Sequence, residues 1–258
     1  DIRYDAPMRS LFRKLHRWLG LLMAVQIVAW MGSGLYFSLI PIAEIRGEHL
    51  TQSEPHPDRQ QLRELARPSE FEDTLTRHLG EGWSLRELEL FSRDGEAFWR
   101  TEVESGGVVQ VRLLSAKGNR IEPQLTGEQA KTHAENWLNT PSSAESVEWI
   151  EDLSQSPEIR GRDLPVWKVK FAEPAAVNLY IHPWTGELLA RRTPQWRIFD
   201  FLWMLHIMDF DTRDNFNHPL LQVAAALGLT VTLGGVVLWA ITTRLFRRSR
   251  KRPGPVIG

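Results

Sequence analysis

Two long uncharged runs bracket this chain. No position from Trp18 to Ala43 carries a charge, and none does from Pro219 to Thr243. Each run exceeds the roughly 20 residues that cross the hydrocarbon core of a bilayer at about 1.5 Å per residue. Each therefore predicts a transmembrane helix. Pro41 marks the exit of the first. Gly20, Gly32, Ser33 and Gly34 on the first run, and Gly228, Gly234 and Gly235 on the second, permit close helix approach. A buried helix of a soluble core is the alternative for either run alone. Two runs, each beside a cationic block, argue against it. The stretch Gln195–Ala240 divides into three parts. Trp196–Phe210 is aromatic and amphipathic, carries Asp200 and Asp209, and is too short to span, so it predicts an interfacial helix. Asp209–His218 is a polar corner, and Pro219–Thr243 alone crosses.

Between the runs the pattern repeats. Phe71, Leu75 and Leu79 have helical spacing, with Ser69 as the expected N-cap. Trp83–Phe91 alternates like a half-buried strand, and Phe98–Val103 and Val108–Leu114 read as two more. The second half runs in the same order: a helix over Thr126–Leu138, then strands at Ser146–Ile150, Val166–Phe171 and Val177–Ile181. An offset of 68 aligns Phe98-Trp99 with Val166-Trp167 and Gly118 with Gly186, and it puts His182 opposite Leu114. The expectation is a duplicated helix-plus-three-strand domain, which buries a helix face on a sheet face. Ser154–Pro165 occurs in the second copy only, which makes it a candidate binding edge or a solvated connector. Arg160, Arg162, Asp163 and His182 are the candidate partner-binding residues there.

The fold class expected is thus a membrane-anchored α+β protein, with two transmembrane helices enclosing the duplicated domain. The expected segments are 1–43 (basic segment and first span), 44–68 (linker, with His49, Ser53, Pro55 and Pro57), 69–193 (the duplicated domain), 194–216 (interfacial helix and corner), 217–246 (second span) and 247–258 (basic tail). The net charge of −1 gives no reason to expect a nucleic-acid partner. The distribution of charge is more telling. Arg9, Arg13, Lys14 and Arg17 precede the first span, and Arg244, Arg247, Arg248, Arg250, Lys251 and Arg252 follow the second. By the positive-inside rule both termini are cytoplasmic and the domain faces the other side, the periplasm of a Gram-negative cell or the surface of a Gram-positive one. There is no cysteine, so disulfides, thiolate catalysis and cysteine-ligated metal are excluded.

Several of these residues resemble a known family. Val166–Leu189, VWKVKFAEPAAVNLYIHPWTGELL, is similar to the closing hairpin of a PepSY domain. Leu15-His-Arg-Trp-Leu-Gly20 resembles the opening of PepSY-associated transmembrane proteins, and so does Leu205-His206 before the last span. The resemblance implies a bacterial inner-membrane protein with a periplasmic PepSY domain. Larger relatives include haem-bearing ferric-siderophore reductases and partners of flavinylated electron carriers. This chain departs from them in having two spans only, and it lacks the Ser/Thr-Gly-Ala-Ser/Thr flavinylation signal.

The candidate chemistry rests on three of the eight histidines. His16, His206 and His218 sit at membrane boundaries, and neutral imidazole is a common axial ligand of haem iron. His16 and His206 lie roughly 30 Å apart by helix rise and cannot share one iron. A twofold dimer would bring two His16 to a haem b at one face, and two His206 or two His218 to another. The alternatives are that His16 is interfacial, touching lipid phosphate, and that His206 anchors a surface helix. The polar corner reads as a structural turn or as a small metal or docking site. Two function classes follow. One is a component of transmembrane or periplasmic electron transfer, as a homodimer or within a larger complex with a periplasmic redox partner. The other is a non-catalytic anchor whose domain binds or restrains a partner such as a peptidase. No hydrolase motif is present.

Overall fold

The computed structural model describes residues 6–53, 58–67 and 70–242, and within these the side chains from Lys14 to Ala240. Ser69, Pro55, His56, Pro57, the side chains of Arg9 and Arg13, and the basic tail after Thr243 lie outside the described residues. In chain order the helices and strands are α1 (Ala6–Leu39), α2 (Ile42–Ile45), α3 (Arg59–Arg63), α4 (Glu72–Leu79), β1 (Ser84–Arg93), β2 (Glu96–Ser105), β3 (Val108–Ser115), α5 (Gly127–Trp137), β4 (Ser146–Ile150), β5 (Val166–Lys170), β6 (Asn178–Ile181), β7 (Leu188–Arg192), α6 (Pro194–Ile207) and α7 (Pro219–Thr242). Ile40–Phe199 forms one compact unit, and the described residues before and after it form the other.

The unit of the two long helices is built by packing on glycine. Gly20 faces Val231, and Gly228 faces Met23 and Trp30. α1 stops before Pro41, which cannot donate to a helix and disfavours helical backbone at the residue before it. α1 and α7 are long and apolar enough to cross a membrane. Their outward apolar side chains are bare: Val25 is 75% exposed and Leu229 61%. A core helix would bury such residues, whereas lipid contact accounts for their exposure.

The second unit contains two antiparallel sheets, in strand orders β1-β2-β3 and β4-β5-β6-β7. On the first, Phe71 and Leu75 of the α4 segment pack with Val103 and Leu114. Gly118 closes this core: at φ +66°, a Cβ there would sit 2.9 Å from Phe71 Cβ. On the second sheet, α5 lays Ala134 and Leu138 against Val169, Leu179 and Ile181. Thr126, expected as the first helical residue, instead caps α5 in a reciprocal box with Gln129.

The strand pairing corrects the sequence alignment of the copies. Trp99 opposes Leu114, and Trp167 opposes Ile181. The offset is 68 from Trp99 to Trp167 but 67 from Leu114 to Ile181, because the chain from Trp167 to its partner is one residue shorter than the chain from Trp99 to its partner. His182 therefore occupies the place of Ser115: their amides donate to Glu187 O and Arg120 O, each at 2.9 Å. All four residues of β6 are buried, so no polar alternation marks the one-residue slip in sequence. The second copy also has a fourth strand, β7. In the first copy the equivalent pairing is reduced to a single bridge between Leu114 and Ile121.

The Ser154–Pro165 insertion is more than a solvated connector, because Ser156 and Ile159 within it are buried. It covers the sheet face opposite α5. Ile159 is fully buried with Ile150, Val166, Tyr180 and Ala190. The Ser156 hydroxyl is 2.6 Å from Tyr180 OH, which donates to Glu158 at 2.7 Å. Asn178 Nδ2 and Arg197 Nε complete the shell of the Glu158 carboxylate at 2.6 and 2.9 Å. Burial pushes that carboxyl up, but Arg197, Tyr180 and Asn178 outweigh it and hold its pKa below the usual value. Residues 44–53, within the expected linker, are also built in. Ile45 is buried, and Gln52 N donates to Trp137 O while Asn139 N donates to Leu50 O. Ile159→Ala is expected to destabilise this unit by about 2–5 kcal/mol, read as a lower unfolding midpoint of the detergent-purified protein. Arg162→Ala, at an exposed position of the same loop, should leave the midpoint unchanged. Equal behaviour of the two variants would refute the assignment of this loop to the core.

Candidate functional site at the membrane-boundary histidines

The last turn of α6 leaves carbonyls without helical partners, as every helix end does. Here the last three are each met by a side-chain donor. Gln26 Nε2 donates to Leu205 O at 3.1 Å, Trp30 Nε1 to His206 O at 2.7 Å, and His218 Nε2 to Ile207 O at 2.9 Å. Two of these donors lie on one face of α1, four residues apart. Met208 then takes the left-handed conformation, φ +57°, and ends the helix.

The corner that follows winds around one carboxylate. Asp209 accepts from the Thr212 hydroxyl and from the backbone N–H groups of Asp211, Thr212, Asp214 and Asn215, the latter four at 3.1–3.2 Å. These bonds, led by Thr212, hold its pKa well below the ordinary carboxylate range against the opposing effect of burial. Arg213 pairs with Asp200, and Trp203 Nε1 donates to Arg213 O at 3.0 Å. The corner is thus a hydrogen-bonded turn. No cluster of three or more metal-ligating side chains occurs among the described residues.

His206 stands at the centre of these contacts. Its Nδ1 is 2.7 Å from Ser33 Oγ. The Ser33 hydroxyl has carbonyl acceptors of its own, Ala29 O at 2.6 Å and Trp30 O at 3.1 Å, and when it donates to either, Oγ is left to accept from His206; on that network we assign the His206 proton to Nδ1. Nε2 is then the nitrogen with the lone pair. Phe37 packs edge-on to the ring with centroids 5.5 Å apart, and the Trp203 plane is parallel to it, tilted by 2°. A ring held through one nitrogen with the other bare is the arrangement of an oriented metal ligand. His218 differs, since its Nε2 is engaged by Ile207 O. His16 lies against Gly234, where a Cβ would stand 3.5 Å from Nδ1. No hydrogen bond holds the His16 ring among the described residues. About 25 Å of α1 separates it from Ser33 at 1.5 Å per residue. The structure thus brings His206 and His218 to one corner and leaves His16 apart.

The family model for the PepSY-associated TM region matches residues 13–255, from just before His16 through both spans and the domain between them. The chain belongs to the PepSY-associated transmembrane family. No curated protein and no solved structure matches it. His16, His206 and His218 all fall inside the family match. In the sequence Ser33 stands out only as a small residue of the span, and Gln26 and Trp30 belong to no motif. Their signal was present: positions 26, 30 and 33 fall on one helical face, and an amide within an apolar span needs a partner.

The candidate partner-binding residues lie in the other unit. Arg162 and Asp163 are exposed, and Arg160 Nη1 donates to Pro157 O at 3.0 Å. His182 caps the β6–β7 turn, its Nδ1 accepting from the amides of Trp184 and Thr185 at 3.3 and 3.1 Å. Burial first, and then the charge of Arg100, hold its pKa down to about 4, with Asp163 opposing. The ordinary value in an unfolded chain is about 6.5. The unfolded state therefore binds the extra proton first, and stability present above pH ~6.5 is lost as pH falls toward about 4. His182→Asn keeps an acceptor near Nδ1 and removes the titration. Its unfolding midpoint should fall less between pH 6.5 and 4 than that of the parent protein, and parallel curves would contradict this account.

Proposed function

We propose that this PepSY-associated membrane protein carries electrons across the bacterial inner membrane to a periplasmic acceptor, a ferric chelate or a flavoprotein. His206 and His16 would each be an axial ligand of a haem b, with a second copy of the chain supplying the opposing ligands. The observation that carries this reading is the state of His206. Ser33 takes its Nδ1 proton, and the free Nε2 is the usual donor to haem iron. The aromatic and glycine-lined surroundings of His206 and His16 suit a flat apolar group. Haem in such a place supplies one-electron chemistry. The chain's own part is to fix the His206 imidazole through Ser33 and to place the His16 ring against Gly234. The separation of about 25 Å along α1 means that one protomer cannot give both ligands to one iron, which is the reason for a dimer. The orientation follows from the cationic residues flanking both spans. His218, engaged with Ile207 O, would position the corner.

Protein purified from haem-replete cells is expected to show a Soret band that sharpens and shifts on reduction. His206→Ala and His16→Ala should each remove about half of the haem, and the double variant all of it. His218→Ala should lower thermal stability more than haem content. Ser33→Ala should retain haem but weaken its retention. A colourless, iron-free preparation from haem-replete cells would overturn this reading and favour a non-catalytic anchor.

A further inference from the structure

Neither the histidines nor the Glu158 network accounts for a cavity of about 260 Å³ inside the Ile40–Phe199 unit. Both repeats wall it: Phe91 and Arg93 from β1, Asp94 from the β1–β2 turn, and His133 and Trp137 from α5. Gly186, in the β6–β7 turn, lies beside Arg93. A Cβ there would come within 3.1 Å of Arg93 Cδ, and φ is +76°. Glycine at this turn thus lets the arginine chain lie against it.

The guanidinium of Arg93 is only partly compensated. It rests over the Phe98 ring at 4.7 Å and donates Nη2 to Glu122 at 3.4 Å. Glu122 receives the shorter bond, 2.6 Å, from Arg120. Nη1 of Arg93 is buried and has no hydrogen-bond partner among the described residues. Buried donors are almost always satisfied, and Arg93 lines the cavity with a partly exposed side chain, so a small turn of its guanidinium would bring the orphan donor to an acceptor held there. His133 shares the wall, its Nδ1 3.2 Å from the Asp94 carboxylate. Burial lowers its pKa, Asp94 pulls it back, and the charge of Arg93 adds to the lowering.

We propose that this cleft binds a carboxylate borne on a small apolar group, with Arg93 as the cation, His133 as the second donor, and Phe91 and Trp137 as walls for the apolar part. The volume suits a group of about one amino-acid residue, since sites for drug-sized ligands begin near 300 Å³. Arg93 repels cations, and Asp94 at the rim disfavours a dianion such as phosphate. The carboxylate has two possible sources, a free organic acid and the C-terminus of a peptide. Its arrival beside His133 favours the imidazolium, so binding takes up a proton and tightens as pH falls from 8 to 6. The charged groups facing His133 are Asp94 and Arg93.

Isothermal titration calorimetry of the full chain in detergent tests this with three probes: N-acetylphenylalanine, its amide, and the peptide Ala-Ala-Phe with a free C-terminus. The acid should bind, the amide at least tenfold more weakly, and the acid more tightly at pH 6 than at pH 8. A peptide that binds more tightly than the acid identifies a chain end as the source, and equal binding identifies a free acid. Arg93→Gln should abolish binding. Should that variant fail to fold, Asn136→Asp on the exposed rim of the cavity should weaken the acid several-fold at an unchanged unfolding midpoint. Absence of binding by both acids, equal binding of acid and amide, or indifference to these substitutions in folded protein would overturn the proposal.

Discussion

Where water is scarce, a helix end must find donors for its last carbonyls, and in this protein that requirement ties three helices together. Gln26 and Trp30 reach from α1 to Leu205 O and His206 O, and His218, just before α7, reaches Ile207 O. Removing any one donor leaves a desolvated carbonyl at a cost of about 1–3 kcal/mol. The position of His206 follows from these bonds. With the backbone on both sides of it pinned, its ring meets Ser33 Oγ and its tautomer is set. The Asp209 turn serves the same end from the other side, since its five hydrogen bonds close the chain from α6 into α7. Histidine chemistry at this corner is therefore inseparable from the folding of the corner.

The second unit shows what duplication leaves after divergence. Both copies keep a tryptophan on the middle strand whose indole N–H donates to a loop carbonyl: Trp99 to Ala66 O at 2.9 Å and Trp167 to Leu125 O at 3.0 Å. Beyond that the copies differ in cover. The four-stranded sheet is enclosed, by α5 on one face and by the insertion on the other, and β6 is buried throughout. In the three-stranded sheet, β1 remains a largely exposed edge strand whose face carries the charges Arg86, Glu87 and Glu89 against Glu104, Glu102 and Arg100 of β2. A charged edge of that kind discourages pairing with other chains. The insertion's Glu158 also binds Arg197 in the first turn of α6.

The parts of this architecture written in local pattern were legible in the sequence. The two uncharged runs give α1 and α7, Pro41 gives the end of the first, and alternation at Trp83–Phe91 gives β1. The helical pattern from Thr126 to Leu138 gives α5, with Thr126 proving to be its N-cap and Leu138 its C-cap. What failed was information that lies in pairing. Leu188–Arg192 does not alternate and became a strand only through β6. The one-residue slip between the copies left no trace in a strand buried on both faces, and so His182 was matched to the wrong partner. The insertion looks polar because its serine and glutamate are polar, yet Ser156 and Glu158 bond a buried tyrosine. At the candidate site the histidines stood out by position. Ser33, which decides what His206 can do, was visible only as a small residue until α6 was placed against it.

The state of the His206 ring is the central claim, and nitrogen NMR of protein labelled at histidine and prepared without haem reads it directly. The His206 resonances, assigned by their loss in His206→Ala, should report a neutral ring protonated at Nδ1 with an unprotonated Nε2. In Ser33→Ala that preference should shift toward a mixture of tautomers. A His206 ring protonated at Nε2, unchanged by loss of the serine hydroxyl, would contradict the account, because the nitrogen reserved for a ligand would then carry the proton.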